Sequence, residues 1–264
     1  MIPNILSIAG SDPSGGAGIQ ADIKAISANG GYAMAVITAL TVQNTQGVQS
    51  VTGVDPQLVR DQIDAIFADI RVDAVKLGML GSGPICEAVA AALQERECPI
   101  IVDPVLSSTS GRILTGSDAL DSFRRCILPL ATILTPNLPE AATLLGEQEA
   151  QTRDGMLKQA CALDRLGPAV LIKGGHLPGA QCPDLLVSAQ DETWFEADRL
   201  DLGQTHGTGC TLAAALATHL AHGASFAEAI EAAKTYTNHA ISGGRHLCVG
   251  GGVGPTDHFF TLRD

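Results

Sequence analysis

The sequence predicts an α/β fold: three layers, α/β/α, with a mostly parallel central sheet covered by helices on both faces. Three observations predict it. Strand-like apolar runs alternate with helix-period stretches almost throughout the 264 residues, the order expected of a parallel sheet joined by crossover helices. The strands read as short buried runs, as strands covered on both sides do. Small residues are plentiful, with 29 glycines and aromatics at only 3%, and they suit close packing of helices on a sheet. No linker, repeat, low-complexity segment or composition shift divides the chain, so residues 1–264 are expected to form a single domain.

Ile5-Leu6-Ser7-Ile8 is a buried strand, and the glycine-rich loop Gly10-Ser11-Asp12-Pro13-Ser14-Gly15-Gly16-Ala17-Gly18 follows its C-terminal end. Ile19, Ile23 and Ile26, three and four residues apart, predict a helix that Gly30-Gly31 stops. Tyr32 through Leu40 is apolar and β-rich, and Thr41-Val42-Gln43-Asn44-Thr45 extends from it. Val48-Gln49-Ser50-Val51 alternates, which predicts an edge or half-exposed strand. Asp55-Pro56 caps and starts a helix with an apolar face of Leu58, Ile63, Ile66 and Phe67. Ala74-Val75-Lys76-Leu77 is a strand ending in Gly78-Met79, helix 82–96 follows, and Ile100-Ile101-Val102 ends in Asp103-Pro104.

The polar stretch Ser107-Ser108-Thr109-Ser110-Gly111-Arg112 leads to a further helix. Thr132-Ile133-Leu134 ends in Thr135-Pro136-Asn137, and a helix runs from Pro139 to Leu145. Helix 154–166 precedes Ala169-Val170-Leu171-Ile172, which ends in Lys173-Gly174-Gly175. Strands at 184–188 and 192–197 have no helix between them and predict a hairpin. Thr205-His206-Gly207-Thr208-Gly209-Cys210-Thr211 then feeds the alanine-rich helix Leu212-Ala213-Ala214-Ala215-Leu216-Ala217. Ser225-x-x-Glu228 is a capping box for a last long helix carrying Lys234, which Gly243-Gly244 ends.

Composition narrows the partners. Formal net charge is −12, from 28 acidic and 16 basic residues, which disfavours nucleic acid and anionic membrane surfaces. Seven cysteines, an odd number without a C-x-x-C pair, argue against a disulfide framework and a thiolate zinc site. Met1-Ile2-Pro3-Asn4 lacks the basic start and apolar core of a signal peptide, and no apolar run approaches the ~20 residues that span a bilayer. A cytoplasmic setting is expected.

The chemistry concentrates at strand ends. Gly10-Ser11-Asp12, Gln43-Asn44, Gly78-Met79, Asp103, Asn137 with Glu140, and Lys173 all follow buried strands, where open parallel sheets hold their ligands. Asp103, Asn137 and Glu140 offer hard oxygen donors suited to Mg²⁺ and its waters. Lys173 and Lys234 are compact cations suited to phosphate. Gln43 presents a donor and an acceptor together, the pattern that pairs with an aminopyrimidine or an amide edge, although a turn side chain satisfying backbone fits as well. Met79 would give such a ring an adaptable apolar wall. The glycine-rich turn 207–209 at a helix start is a ready cradle for phosphate oxygens, and the same field would favour a thiolate at Cys210. A tight turn before a core helix with an inert cysteine fits the same residues. His206 and His176 stand beside these turns, while His219 and His222, three apart on the alanine-rich helix, are expected to face solvent rather than a metal. Gly16-x-Gly18 is a weak dinucleotide signal, and no G-x-x-x-x-G-K-[ST] is present.

Several stretches together resemble one family, the hydroxymethylpyrimidine and phosphomethylpyrimidine kinases of thiamine biosynthesis, within the ribokinase-like superfamily. They include Ile8-Ala9-Gly10-Ser11-Asp12-Pro13-Ser14-Gly15-Gly16-Ala17-Gly18, Thr41-Val42-Gln43-Asn44-Thr45, Val75-Lys76-Leu77-Gly78-Met79 and Asp103-Pro104-Val105. Thr135-Pro136-Asn137-Leu138-Pro139-Glu140, Ile172-Lys173-Gly174-Gly175-His176, His206-Gly207-Thr208-Gly209-Cys210-Thr211 and Gly254-Pro255 continue the match in family order. The resemblance implies ATP-dependent phosphorylation of 4-amino-5-hydroxymethyl-2-methylpyrimidine, and then of its monophosphate to the diphosphate. It implies that Gln43 bonds the ring, with Met79, Val105 and Gly10 around it. Asp103, Asn137, Glu140 and Lys173 would lie near Mg²⁺ and the ATP phosphates, with Asp103 and Glu140 toward the metal. Lys234 and Thr208 would lie by the nucleotide. The amides of Gly207, Thr208, Gly209 and Cys210 would form an anion hole, with Cys210 as base, and a homodimer is the superfamily's habit.

Two stretches depart from the pattern, Leu106-Ser107-Ser108 and the tail Thr256-Asp257-His258-Phe259; they are expected to bear on a lid or a subunit contact and to leave the core assignments untouched. The rival on the same scaffold is a pyridoxal or pyridoxine kinase. From other classes come a cysteine-nucleophile enzyme using Cys210 with His206, and a nucleotide sensor without turnover.

Overall fold

The computed structural model describes residues 1–106, 117–189, 191–200 and 206–263. The chain runs β1 (Asn4–Ser11), α1 (Gly18–Ala28), β2 (Tyr32–Asn44), β3 (Gly47–Gly53), α2 (Pro56–Asp69), β4 (Ala74–Leu77), α3 (Gly83–Leu93) and β5 (Ile100–Val102). It continues through α4 (Ser117–Ser122), β6 (Ile133–Leu134), α5 (Leu138–Leu145), α6 (Arg153–Asp164) and β7 (Ala169–Lys173). The hairpin β8 (Asp184–Ser188) and β9 (Asp191–Phe195) precedes α7 (Thr208–Ala221) and α8 (Phe226–Gly244). The polar stretch Ser107–Arg112 and Thr205 lie outside the described residues.

Among the described residues nine strands form one sheet in the order β3-β2-β1-β4-β5-β6-β7-β8-β9. Strands β2, β1, β4, β5, β6 and β7 run parallel, while β3 closes one edge and β8 with β9 the other, all antiparallel. This is the expected α/β/α sandwich. Because the six parallel strands point one way, their C-terminal ends, and the polar residues following them, fall along a single edge.

Successive side chains of a strand point to opposite faces, and here both faces are covered. Leu6, Ile8, Val75, Leu77, Val102 and Leu134 pack with Val59 and Ile63 of α2, Ile85 and Val89 of α3, and Leu138 and Ala141 of α5. Ile5, Ala74, Ile101, Ile133 and Leu171 take the other face, against Ile26 of α1, Leu212 to Ala217 of α7 and Ile230 of α8. Each fully buried leucine or isoleucine contributes roughly 1.5–3 kcal/mol. Ala213, Ala214, Ala215 and Ala217 are fully buried, and their small side chains let α7 lie close to the sheet.

One local expectation is corrected. Leu58 is 52% exposed, and the inward face of α2 is set by Val59 and Ile63, with Ile66 and Phe67 partly buried beside them. The spacing 59, 63, 66, 67 keeps one helical face, whereas Leu58 falls off it. Gly243 and Gly244 are the last two residues of α8, as expected. The tail adds a packing reason for the first, since a Cβ at Gly243 would come 2.9 Å from that of Phe260.

Candidate active site

The strand ends converge as expected. A cleft of about 710 Å³ is lined by Gly10, Gln43, Met79, Asp103, Val105, Asn137, Glu140, Lys173, Gly207, Thr208, Gly209, Cys210 and Lys234. Every candidate site residue therefore borders one cavity.

Its floor is organised by Asp12. The carboxylate accepts from Ser14 N at 2.8 Å, Ser14 Oγ at 2.7 Å and Ala17 N at 2.9 Å, and its Oδ2 lies 2.9 Å from His206 Nε2. Burial raises its pKa, but the bonds from His206 and Ser14 outweigh burial and hold it below the ordinary aspartate value. Asp12 and His206 thus clasp the loop after β1 to the start of α7. The two backbones touch there: a Cβ on Gly207 would lie 1.8 Å from Gly16 O, and Gly207 has φ +83°. Only glycine meets both conditions.

Gly207 is the N-cap of α7, and Gly209 and Cys210 stand in its first turn. A Cβ on Gly209 would lie 3.3 Å from Lys173 Nζ and 3.4 Å from Asp103 Oδ2, so the helix start abuts the charged cluster. Lys173 Nζ donates to Asp103 Oδ1 at 2.8 Å and lies 3.9 Å from Glu140 Oε2. Burial works against the ammonium charge, yet Asp103 and Glu140 raise the Lys173 pKa above its ordinary value. Asn137 and Glu140 form a capping box at α5: Glu140 Oε2 accepts from Asn137 N and Asn137 Oδ1 from Glu140 N, both at 2.8 Å. Burial pushes Glu140 up to about 7 against the pull of Lys173.

Cys210 corrects an expectation. Burial raises its pKa to about 11; Lys76 and the Gly18 N–H oppose this, while Asp22 and Asp103 reinforce it. The helix field alone favours a thiolate, but the thiol is 9% exposed and desolvation prevails. In the resting protein Cys210 is a neutral thiol.

On the ring side, Thr41 Oγ1 donates to Ser11 O at 2.9 Å and lies 3.1 Å from Gln43 Oε1, and Gln43 Nε2 lies 3.4 Å from His206 Nε2. Met79 packs against Gly10, where a Cβ would come 2.4 Å from Met79 Cε. Lys234 lines the cleft, but its ammonium is held by Asp184 Oδ2 at 2.6 Å and Cys182 O at 3.0 Å. It therefore braces the β7–β8 connection. His219 is also corrected: it is half-buried, 3.1 Å from Asn29 Oδ1, while His222 is exposed as expected.

Two features escaped the sequence reading. Lys76 is completely buried, its Nζ 3.0 Å from both carboxylate oxygens of Asp22, which also accepts from Ser7 Oγ at 2.6 Å. Burial disfavours the Lys76 charge, but Asp22, Cys210 and Asp103 hold its pKa above the ordinary lysine value. The signal was present: a lysine inside an apolar strand needs a partner, and Asp22 lies between Ile19 and Ile26 on the inward face of α1. Arg199, bonded to the carbonyls of Gly175, Leu177, Gly179 and Gln181, fastens the loop after β7. No sequence pattern marks it.

Comparison with known proteins accords with this geometry. The profile of the family described as phosphomethylpyrimidine kinase matches residues 12–257. The chain is 47% identical over 258 residues to a hydroxymethylpyrimidine/phosphomethylpyrimidine kinase of Salmonella typhimurium, covering 97% of each chain. A pyridoxal kinase of Bacillus subtilis, solved with ADP, superposes with TM-score 0.90 at 35% identity, covering 100% of both chains. A phosphomethylpyrimidine kinase of Clostridium difficile superposes with TM-score 0.80 at 40% identity, over 90% of this chain and 99% of that one. The cleft thus sits in a small-molecule kinase with a ribokinase-like fold, and the chain belongs to the phosphomethylpyrimidine kinase family.

Proposed function

We propose that the cleft phosphorylates hydroxymethylpyrimidine from ATP and then converts the monophosphate to the diphosphate, in thiamine biosynthesis. The observation that carries this is the meeting of the Asp103–Glu140–Lys173 cluster with the start of α7 beside a pocket edged by Gln43 and Met79. Phosphoryl transfer asks for positioning and charge neutralisation, which this cluster supplies. Lys173 and the first-turn amides of α7 take up the charge of the transferred group. Gln43 orients the ring through its amide, and Met79, Val105 and Gly10 set the ring plane.

Mg²⁺ fits the donor set. Asp103 and Glu140 offer hard oxygens, and no group of three or more histidine, cysteine or acidic side chains forms a cage among the described residues. One or two carboxylates with waters and substrate phosphates is the ordinary surrounding of this ion. Asp103 and Glu140 would hold it, directly or through water, and when bound it supplies charge neutralisation on the phosphates.

Cys210 accepts the hydroxyl proton as the new P–O bond forms, which demands its thiolate. Burial holds the thiol neutral, so alcohol phosphorylation carries an ionisation cost. The second step escapes that cost, because a phosphate monoester is already ionised near neutral pH.

The kinase works in the cytoplasm, where its seven unpaired cysteines stay reduced. Residues 1–264 act as one domain, in keeping with the single sheet. A homodimer is supported by Leu40 and Val42, 54% and 55% exposed on β2 beside edge strand β3.

The pyridoxal kinase reading draws on the likeness to the Bacillus subtilis structure. Side-by-side kcat/KM measurements on hydroxymethylpyrimidine and pyridoxal decide between them. The pyrimidine is expected to be the better substrate, and a preference for pyridoxal would overturn the assignment.

A further inference from the structure

The tail returns across α7 and stops behind the cleft. His206 N donates to Gly254 O at 3.2 Å, and Asp257 N donates to Ala240 O of α8 at 2.8 Å. These contacts seat His258 in the interior at 3% exposure, so the tail is no lid at this point. Its Nε2 lies 2.9 Å from Thr211 Oγ1 and 3.5 Å from Thr256 Oγ1. Thr211 Oγ1 in turn donates to Gly207 O at 2.9 Å.

The donors in this chain can be counted. A threonine hydroxyl has one proton, and here it goes to the Gly207 carbonyl. Thr211 Oγ1 also lies 3.4 Å from Thr256 Oγ1, and the shorter 2.9 Å contact with His258 is satisfied by a hydrogen on Nε2, which assigns the tautomer from the network. Burial drives the His258 pKa down to about 4, which keeps the ring neutral.

Gly207 O accepts a second bond, from Thr211 N at 2.9 Å. Two donors thus fix one carbonyl. A trans peptide is planar, so its C=O and N–H point in opposite directions. Holding Gly207 C=O toward the interior therefore turns Thr208 N–H the other way, on the cleft side of the same peptide. Gly207 needs this restraint, because glycine at φ +83° has no side chain to limit its rotation.

We propose that His258 is a positioning residue for phosphoryl transfer: through Thr211 it fixes the Gly207–Thr208 peptide so that Thr208 N–H meets the phosphoryl group. The inference rests on the reading of the α7 start as the phosphoryl cradle. It needs no contact between His258 and either substrate.

The test measures kcat and KM for both phosphorylation steps in H258L, H258Q, T211V, the H258L/T211V double variant and G209A, with thermal unfolding alongside. Loss of a whole oxyanion donor costs about 10²–10³ in kcat, and a misaligned one less, so H258L is expected to lose about tenfold in both steps. The KM for ATP should stay within about twofold, because a contact made only in the transition state acts on kcat. H258Q, whose amide N–H reaches the Nε2 position, should recover most of the loss. The double variant should be no worse than the worse single one, since both break the same chain. If H258L does not fold, T211V and H258Q carry the same comparison.

Parental kcat in H258L or T211V, or losses that multiply in the double variant, would overturn the proposal. G209A separates the two readings, because its added methyl enters the cradle directly. If G209A loses kcat while H258L and T211V keep it, only the His258 role falls. Should G209A also keep it, the cradle reading falls and takes the His258 role with it.

Discussion

At the scale of single residues, buried charge decides most of the behaviour. Lys173 neutralises Asp103 and faces Glu140, and the same ammonium is placed to meet the transferred phosphoryl group. Replacing Lys173 with methionine should lower kcat by about 10²–10³, the loss seen when a preorganised charge donor is removed; steady-state assays at saturating ATP check this. Cys210 presents the opposite case, a neutral thiol where the helix field alone suggests a thiolate. Its alkylation rate, followed peptide by peptide, should keep rising toward pH 11. A plateau near neutrality would show that the field prevails over burial. Cys210→Ala should slow alcohol phosphorylation far more than diphosphate formation, and equal losses would leave the thiol a positioning role. Lys76 and Asp22 are a structural pair in the same region. Lys76→Met alone leaves a buried carboxylate uncompensated and should destabilise by about 3–5 kcal/mol, whereas adding Asp22→Asn should restore much of this in urea unfolding. Lys76 was legible in principle, because its apolar neighbours announce burial. The ionisation of Cys210 was not, because it depends on how completely the fold buries the thiol.

The elements show where periodicity carries information and where it stops. Alternating apolar runs and helix-period stretches were enough to place the strands and helices described, because the central strands are buried on both faces and read as short apolar runs. The face of α2 was misjudged at Leu58 because a one-residue offset turns a helical position by about 100°. Gly243 and Gly244 end α8 as the sequence indicates, and the returning tail adds a packing reason for a small residue at 243. The tail also carries a pH signature. His258 keeps its pKa near 4, against 6.5 for an ordinary histidine. The unfolded chain therefore binds a proton that the folded chain refuses between those two values. Stability is untouched above pH 6.5 and falls as the pH drops toward 4, by on the order of 3 kcal/mol in all. His258→Gln should remove that acid sensitivity, and urea midpoints at pH 7 and 4.5 compare the two proteins. Identical acid losses in parent and variant would contradict the assignment.

Across the whole molecule, the parallel strands are what bring distant residues to one edge. Gln43, Asp103 and Lys173 are far apart in sequence and border the same cleft because their parallel strands end on the same side, where the start of α7 adds Cys210. That much follows from the fold class, so the site's membership could be read before its geometry. The partners inside the site could not, since they are fixed by loop paths. Asp12 binds His206, Lys234 braces Asp184, and Asn137 with Glu140 cap a helix beside the cluster. The most direct test of the central claim is a product trace. The protein, ATP labelled on its terminal phosphate, Mg²⁺ and hydroxymethylpyrimidine are incubated together and the products resolved by anion exchange. The account predicts a labelled pyrimidine monophosphate that appears first and is then converted to a diphosphate carrying two labels. No ATP-dependent pyrimidine product, or a monophosphate that never proceeds further, would contradict it.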